Sequence, residues 1–274
     1  YAVMALKSYM DKFFKYEKER WEAPRLEYAI LDADDSNFVD EYTLTYAQQS
    51  AMDPTGDELE AFVAEMSAVL QANNGLDVYK KDSFHGKLVL FDFRSHLYAP
   101  LICLEKSNLK IQLSPVALNT DEMRFVDYLK AYVDNHAAEL VDKSLYLLRN
   151  KSKVGMGFFE AGNFYPDYIL WIDTPETQYI SFIDPKGLMH IRPDDPKIEF
   201  YKTIKDLETR LSPTADGKRI VLNSFIMAGT RSSDLRMWWS TPEVDADRAY
   251  REARNVYTLD NDECVESMMR KILQ

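Results

Sequence analysis

The sequence predicts an α/β fold, with a mixed sheet flanked by helices over residues 116–274 and an α+β connector region over residues 1–115 before it. Three observations predict it. The second half alternates helical and strand-like periods in the order helix, strand, hairpin, helix, strand, helix, the pattern of a sheet covered by helices. Its two central runs, Tyr168–Ile172 and Tyr179–Ile183, are nearly all apolar, so both faces of that hairpin are covered and it lies inside the sheet. Ser114–Pro115 punctuates the chain and puts a boundary between about Leu113 and Asn119.

The elements follow in order. Tyr1 to about Arg20 reads as an amphipathic helix with Val3, Leu6, Met10, Phe13 and Phe14 on one face. Leu26–Leu31 and Tyr42–Tyr46 are short strands. Asp53–Pro54–Thr55–Gly56 is a turn before a helix carrying Leu59, Phe62, Val63, Met66, Val69 and Leu70, which Asn73–Asn74–Gly75 ends. Lys87–Phe93, Leu101–Leu104 and Leu109–Leu113 are further strands. Beyond the boundary, Phe125, Val126, Leu129, Tyr132, Val133, His136, Ala137 and Leu140 keep the helical period. Leu145–Leu148 is a strand, and a loop with Gly155 and Gly157 leads into the hairpin. Pro196 opens a helix carrying Ile198, Tyr201, Ile204 and Leu211, which Ser212–Pro213 stops. Arg219–Met227 is a buried strand, and the rest, from Asp234, is mostly helical.

The totals narrow the function. A chain of 274 residues, 46% apolar, can bury a core. No apolar run approaches the roughly 20 residues needed to span a bilayer, and the charged start is no signal peptide. The chain does not begin with Met, so the expectation is a piece of a longer polypeptide. Cys103 and Cys264 are too far apart in sequence to suggest a disulfide scaffold, which points to a reducing, cytoplasmic setting. His85, His96, His136 and His190 show no zinc-ligand spacing. A net charge of −12 argues against a general nucleic-acid coat but leaves room for an enzyme with one basic groove. Carboxylates are also what magnesium prefers.

The chemistry concentrates on the hairpin. Asp173–Gln178 is polar and reads as its turn. With the midpoint between Pro175 and Glu176, antiparallel pairing sets Asp167 opposite Asp184, about 5 Å apart as cross-strand neighbours. Asp184 and Lys186 then share a face. Two carboxylates forced together repel unless a cation joins them, and a lysine beside the cation can orient water or meet the charge of an attacked phosphodiester. The competing reading is a plain hairpin with charged ends in water.

Other residues join this candidate set. Glu122 lies on the core-facing stripe of its helix and either reaches the metal or completes a capping box with Asn119. Glu160 and Glu139 are weaker candidates for the same part. Between Asp142 and Glu160 there is no acid, while Lys143, Arg149, Lys151 and Lys153 occur. These residues, extended by Lys197, Lys202 and Lys205, are candidates for phosphate contact, against the alternative of a solvated loop. Lys218 and Arg219 are less clear. Asn150–Lys151–Ser152 matches a glycosylation acceptor, discounted here without a signal peptide. Trp238–Trp239 suits either base stacking or the core.

Pro166–Asp167, Asp184–Pro185–Lys186 and a preceding helical glutamate resemble the PD-(D/E)xK nuclease pattern. More narrowly, "DEMRFVDYLKAY", "GFFEAGNFYPDYILWI", "YISFIDPKGL" and "IVLNSFIMAGT" resemble the C-terminal nuclease region of restriction-type DEAD/DEAH-box helicases, similar to the restriction subunit of type III restriction-modification enzymes. The resemblance is best from about Ser114 to Thr230. It implies a restriction-endonuclease-like core cleaving double-stranded DNA with magnesium, or manganese as a substitute. Asp167, Asp184 and the Pro185 backbone carbonyl would hold the metal, Lys186 would orient or activate water, and Glu122 would be the helix acid. It also implies a helicase motor in the same polypeptide, which would use ATP, and leaves open a methyltransferase as a further partner. No G-x-x-x-x-G-K-[ST] phosphate loop occurs in this chain. Two other functions compete with DNA cleavage: a catalytically inactive docking or scaffold module on the same fold, and an RNA-cleaving nuclease.

Overall fold

A computed structural model describes residues 2–22, 43–46, 78–81, 88–91, 101–104, 111–114, 116–151, 164–240 and 244–274, with scattered residues between 56 and 68. The first part contributes helix α1 (Ala2–Glu22) and strands β1 (Thr43–Tyr46), β2 (Val78–Lys81), β3 (Leu88–Phe91), β4 (Leu101–Leu104) and β5 (Ile111–Ser114). β1 pairs with β5, and β2–β3–β4 form an antiparallel sheet. The described residues between 56 and 68 are helical. The expected strand Leu26–Leu31 lies outside the described residues. α1 forms as its period predicts, yet Leu6, Met10, Phe13 and Phe14 are each about half exposed or more. Periodicity drives the helix locally, whereas burial also needs a facing surface.

The second part is built on one five-stranded sheet in the order β10–β9–β8–β7–β6, from β6 (Ser144–Arg149), β7 (Tyr168–Asp173), β8 (Thr177–Lys186), β9 (Arg219–Ala228) and β10 (Val256–Thr258). β6, β7 and β8 form an antiparallel meander, and β8, β9 and β10 run parallel. Parallel neighbours require crossovers. Helix α3 (Pro196–Glu208) joins β8 to β9, and α4 (Ser232–Trp238) with α5 (Val244–Glu252) joins β9 to β10. Helix α2 (Thr120–Asn135) precedes the sheet and packs on β8 and on α6 (Glu263–Ile272), which closes the chain.

Local chemistry sets these elements. The Asn119 side chain accepts from the Asp121 and Glu122 N–H groups, and Glu122 accepts from the Asn119 N–H at 3.2 Å, completing a capping box. Asp195 caps α3 with Pro196 in its first turn. Thr174 closes the hairpin through its N–H to the Thr177 carbonyl at 2.9 Å. β7, β8 and β9 are buried along most of their length, so both faces of the sheet centre are covered. Phe125 and Leu129 of α2, Ile169 and Leu170 of β7, Ile183 of β8, Phe200 and Ile204 of α3, Phe225 of β9 and Met268 of α6 belong to one core. Each such side chain is worth roughly 1.5–3 kcal/mol when fully buried.

The boundaries differ from expectation at three places. α2 stops at Asn135, with His136 as cap donating its N–H to the Tyr132 carbonyl, so Ala137 and Leu140 fall in a turn. α3 stops at Glu208, before Leu211. The mostly helical tail contains β10, a three-residue strand too short to carry a period-2 signal.

Candidate active site at the carboxyl end of the sheet

β8 and β9 end side by side, with Lys186 opposite Ala228. The carboxyl ends of parallel strands are where open α/β sheets place ligands. On the other side of β8, the last ladder pair is Tyr168 with Ile183, so the next residues out are Asp167 and Asp184. This is the register that the turn arithmetic predicts.

Asp167 and Asp184 meet there as a hydrogen-bonded pair of carboxyl groups. Burial pushes the Asp167 carboxyl up to about 8, and the neighbouring Asp184 charge and hydrogen bond push the same way. Asp184 is buried, and the Lys186 ammonium forms an ion pair with its Oδ2. That ammonium also lies 5.5 Å from the centroid of the Phe164 ring.

The backbone holds the pair in place. Asn150 donates its N–H to the Asp167 carbonyl and its side-chain Nδ2 to the Pro166 carbonyl, both at 2.8 Å. Asn150 is itself buried. It clamps the Pro166–Asp167 step, a part that sequence reasoning missed, since its only signal was its place just after a strand. β8 overhangs β7 by Asp184, Pro185 and Lys186. Gly229 N–H donates to the Lys186 carbonyl at 2.9 Å, on the β9 side. Successive strand carbonyls point to opposite neighbours, so the Pro185 carbonyl turns to the side where the β7 ladder has ended. The N–H that Pro185 lacks has no ladder to serve there.

Helix α2 sets its first turn over this end of the sheet. Asp121 lies against Gly229, where a Cβ would come 2.0 Å from the Asp121 Oδ2. Glycine is thus what lets the two approach. Glu122 is buried and receives the Arg149 guanidinium at 2.9 Å. Burial raises the Glu122 carboxyl, although Arg149 beside it pulls the other way, and the Asp184 charge adds to the rise. Glu122 therefore serves the capping box and stands by the cluster at once. Its Oε2 is engaged by Arg149 and Asn119, so it is a neighbour of the carboxylate pair and not a free third arm.

The expected basic groove changes most. Arg149 turns inward, bonding the Val116 and Ala117 carbonyls as well as Glu122. A guanidinium committed to a buried acid and two carbonyls braces the protein instead of meeting phosphate. Lys151 is half-buried, and Lys153 and Glu160 lie outside the described residues. Lys197 is half-buried in the first turn of α3. Lys202 pairs with Glu199, Lys205 with Glu208, and Lys218 with Asp173. Glu139 is exposed in the turn after α2. Trp239 is core, with Nε1 donating to the Ile191 carbonyl, while Trp238 is exposed.

Among the described residues no group of three or more His, Cys, Asp and Glu side chains is arranged to hold a metal ion. The donor set that is present, two carboxylates and a strand-end carbonyl, fits magnesium, which takes one or two protein carboxylates and keeps several waters. Cys264 is buried with its thiol pushed up to about 12, which suits packing and not nucleophilic chemistry. Among the described residues no helix is long and apolar enough to cross a membrane. The chain matches no protein-family model, no curated protein and no solved structure.

Proposed function

We propose that this chain is a magnesium-dependent endonuclease hydrolysing DNA phosphodiester bonds, and that it forms the C-terminal nuclease part of a larger helicase or translocase protein of restriction or phage defence. The observation that carries this reading is the meeting of Asp167, Asp184 and Lys186 at the carboxyl end of β8, at the positions of the PD-(D/E)xK pattern. The mixed sheet flanked by helices is compatible with the restriction-endonuclease-like core that this pattern implies.

In this reading the proton held on Asp167 occupies the place a divalent cation would take. The bound cation supplies Lewis acidity toward the phosphate and a lowered pKa for water. Asp167 and Asp184 would hold it, with the Pro185 carbonyl as a further donor. Lys186, released from Asp184, would face the attacked phosphate and orient the water whose oxygen forms the new bond to phosphorus. The water gives up a proton to solvent as the bond from phosphorus to the sugar oxygen breaks, and that oxygen leaves with a proton taken from solvent. Arg149 and Glu122 keep α2 seated over the pair.

One observation favours the rival of an inactive docking module: Lys186–Asp184 and Arg149–Glu122 are ion pairs closed on one another. The two readings separate in a cleavage assay on duplex DNA and on RNA with magnesium, in the polypeptide that contains the chain. Asp184→Ala and Lys186→Ala are expected to lose on the order of 10³-fold in rate, and calorimetry is expected to show magnesium binding lost in Asp167→Ala. Rates equal to wild type in both variants sink the assignment. Cleavage of RNA alone transfers it to the other substrate.

A further inference from the structure

The two carboxylates of the site are held in different ways. Asp184 lies within a ladder: it sits opposite Ile226 of β9, with paired residues on either side of it, so the sheet sets its backbone. Asp167 lies beyond its ladders. The β6–β7 ladder ends at Arg149 with Tyr168, and the β7–β8 ladder ends at Tyr168 with Ile183. Asp167 is the next residue out on both sides, so strand pairing does not set its direction.

Asn150 does. A side chain leaves its Cα in a direction governed by the two peptide planes that flank it, because each plane is rigid and only φ and ψ turn between them. The plane before Asp167 carries the Pro166 carbonyl, and the plane after it carries the Asp167 carbonyl. Asn150 donates to both, to the first from Nδ2 and to the second from its N–H, each at 2.8 Å. One residue thus pins both dihedrals of Asp167. The clamp is well seated. Asn150 and Pro166 are buried, and the neighbouring Arg149 is braced by Glu122 and the Ala117 carbonyl. The consequence falls on any cation held there. Magnesium demands near-octahedral ligands at about 2.0–2.1 Å, so a carboxylate free to swing holds it poorly. Groups that orient a ligand from behind typically govern affinity by about 10–100-fold.

We infer that Asn150 is a positioning residue for the divalent-cation site: it fixes the backbone of Asp167 so that its carboxylate and that of Asp184 close on one ion. This rests on the nuclease reading for the cation, and on the two hydrogen bonds for the positioning.

The test is calorimetry with magnesium chloride on the polypeptide that contains the chain, with no DNA present. Asn150→Ala removes the side-chain donor, and Asn150→Leu removes it at similar volume. Both are expected to weaken magnesium binding on the order of tenfold. Asn150→Ser keeps a hydroxyl donor, and its affinity is expected between theirs and wild type, which keeps the test open where a harsher variant does not fold. Lys218→Gln, at the far end of the hairpin, is expected to bind as wild type does. Cleavage by the Asn150 variants is expected to return to within about threefold of wild type at saturating magnesium, because every ligand is still present. Wild-type affinity in Asn150→Ala, a leucine variant that binds normally where the alanine one does not, or a rate that saturating magnesium does not restore overturns the positioning role. Magnesium binding lost in Asp167→Ala but kept in the Asn150 variants discards the positioning alone. Asn150-dependent magnesium binding without cleavage of any nucleic acid discards the nuclease reading alone.

Discussion

At the turn end of the β7–β8 hairpin, Asp173 meets Lys218 at 2.5 Å, with Asp216 also near the ammonium. At the open end, Asp167 and Asp184 meet Lys186, and Glu122 meets Arg149. Both ends hold acids and cations, so charge by itself does not distinguish them. Their surroundings do. Asp216 is largely exposed, its carboxyl held low by the Thr214 hydroxyl, and the Lys218 ammonium is raised by its bond to Asp173. At the open end three acids face two cations with little solvent, and Asp167 rises to about 8. A proton settles that imbalance, and a divalent cation would settle it equally well. The strained balance, and not the presence of acids, marks the open end as the candidate site.

The largest expected effect comes from removing a cation there. Arg149→Met leaves Glu122 buried with an uncompensated charge and leaves the Val116 and Ala117 carbonyls without their guanidinium. The expected cost is about 3 kcal/mol in urea unfolding at pH 7. The deficit should shrink as pH falls, because burial raises the Glu122 carboxyl and a protonated Glu122 no longer needs a partner. A loss that stays constant across pH would mean that the carbonyl contacts, and not Glu122, carry the role of Arg149.

That Arg149 prediction marks where the sequence stops being readable. The hairpin register was legible because a polar break between two apolar runs leaves one midpoint, and cross-strand pairing is then arithmetic. The direction of Arg149 was not legible. A basic residue at a strand end has two destinations, solvent or a buried acid, and Glu122 lies 27 residues earlier in the chain. The capping box and the site neighbour also looked like alternatives for Glu122, whereas one carboxylate serves both. Asn150 was hidden because its work is done by hydrogen bonds to backbone, which no residue pattern encodes. β10 was hidden because three residues are held by pairing with β9 and by no preference of their own.

A smaller effect reads the imbalance through pH. Asp167 holds its proton to about 8 in the folded chain, whereas an ordinary aspartate loses it near 3.8. Between these values the folded state binds more protons than the unfolded one, so stability falls as pH rises and levels off above about 8. The slope from this group approaches about 1.4 kcal/mol per pH unit, and the raised Glu122 acts in the same direction. Urea unfolding in EDTA from pH 5 to pH 9 should show this decline in wild type and a flatter profile in Asp167→Asn. Magnesium should stabilise wild type more at pH 8 than at pH 5, since it competes with the proton. A profile equally steep in Asp167→Asn would remove the coupled pair as its cause.

The smallest effect belongs to the turn end. Lys218→Gln keeps an amide donor for Asp173 in place of the ammonium. The pair is partly buried, with Lys218 19% and Asp173 29% exposed, and the amide keeps a hydrogen bond to Asp173, so most of the contact survives the lost charge. The melting temperature is expected to move by less than about 2 °C. Its sign with pH is also fixed: a lysine raised above 10.5 gives its contribution fully below that value and loses it only above. The difference between Lys218→Gln and wild type should therefore stay flat from pH 5 to pH 9, the window in which Asp167 acts. A steep pH dependence from Lys218 in that window would erase the contrast between the ends, because the turn would then be storing charge imbalance as the open end does.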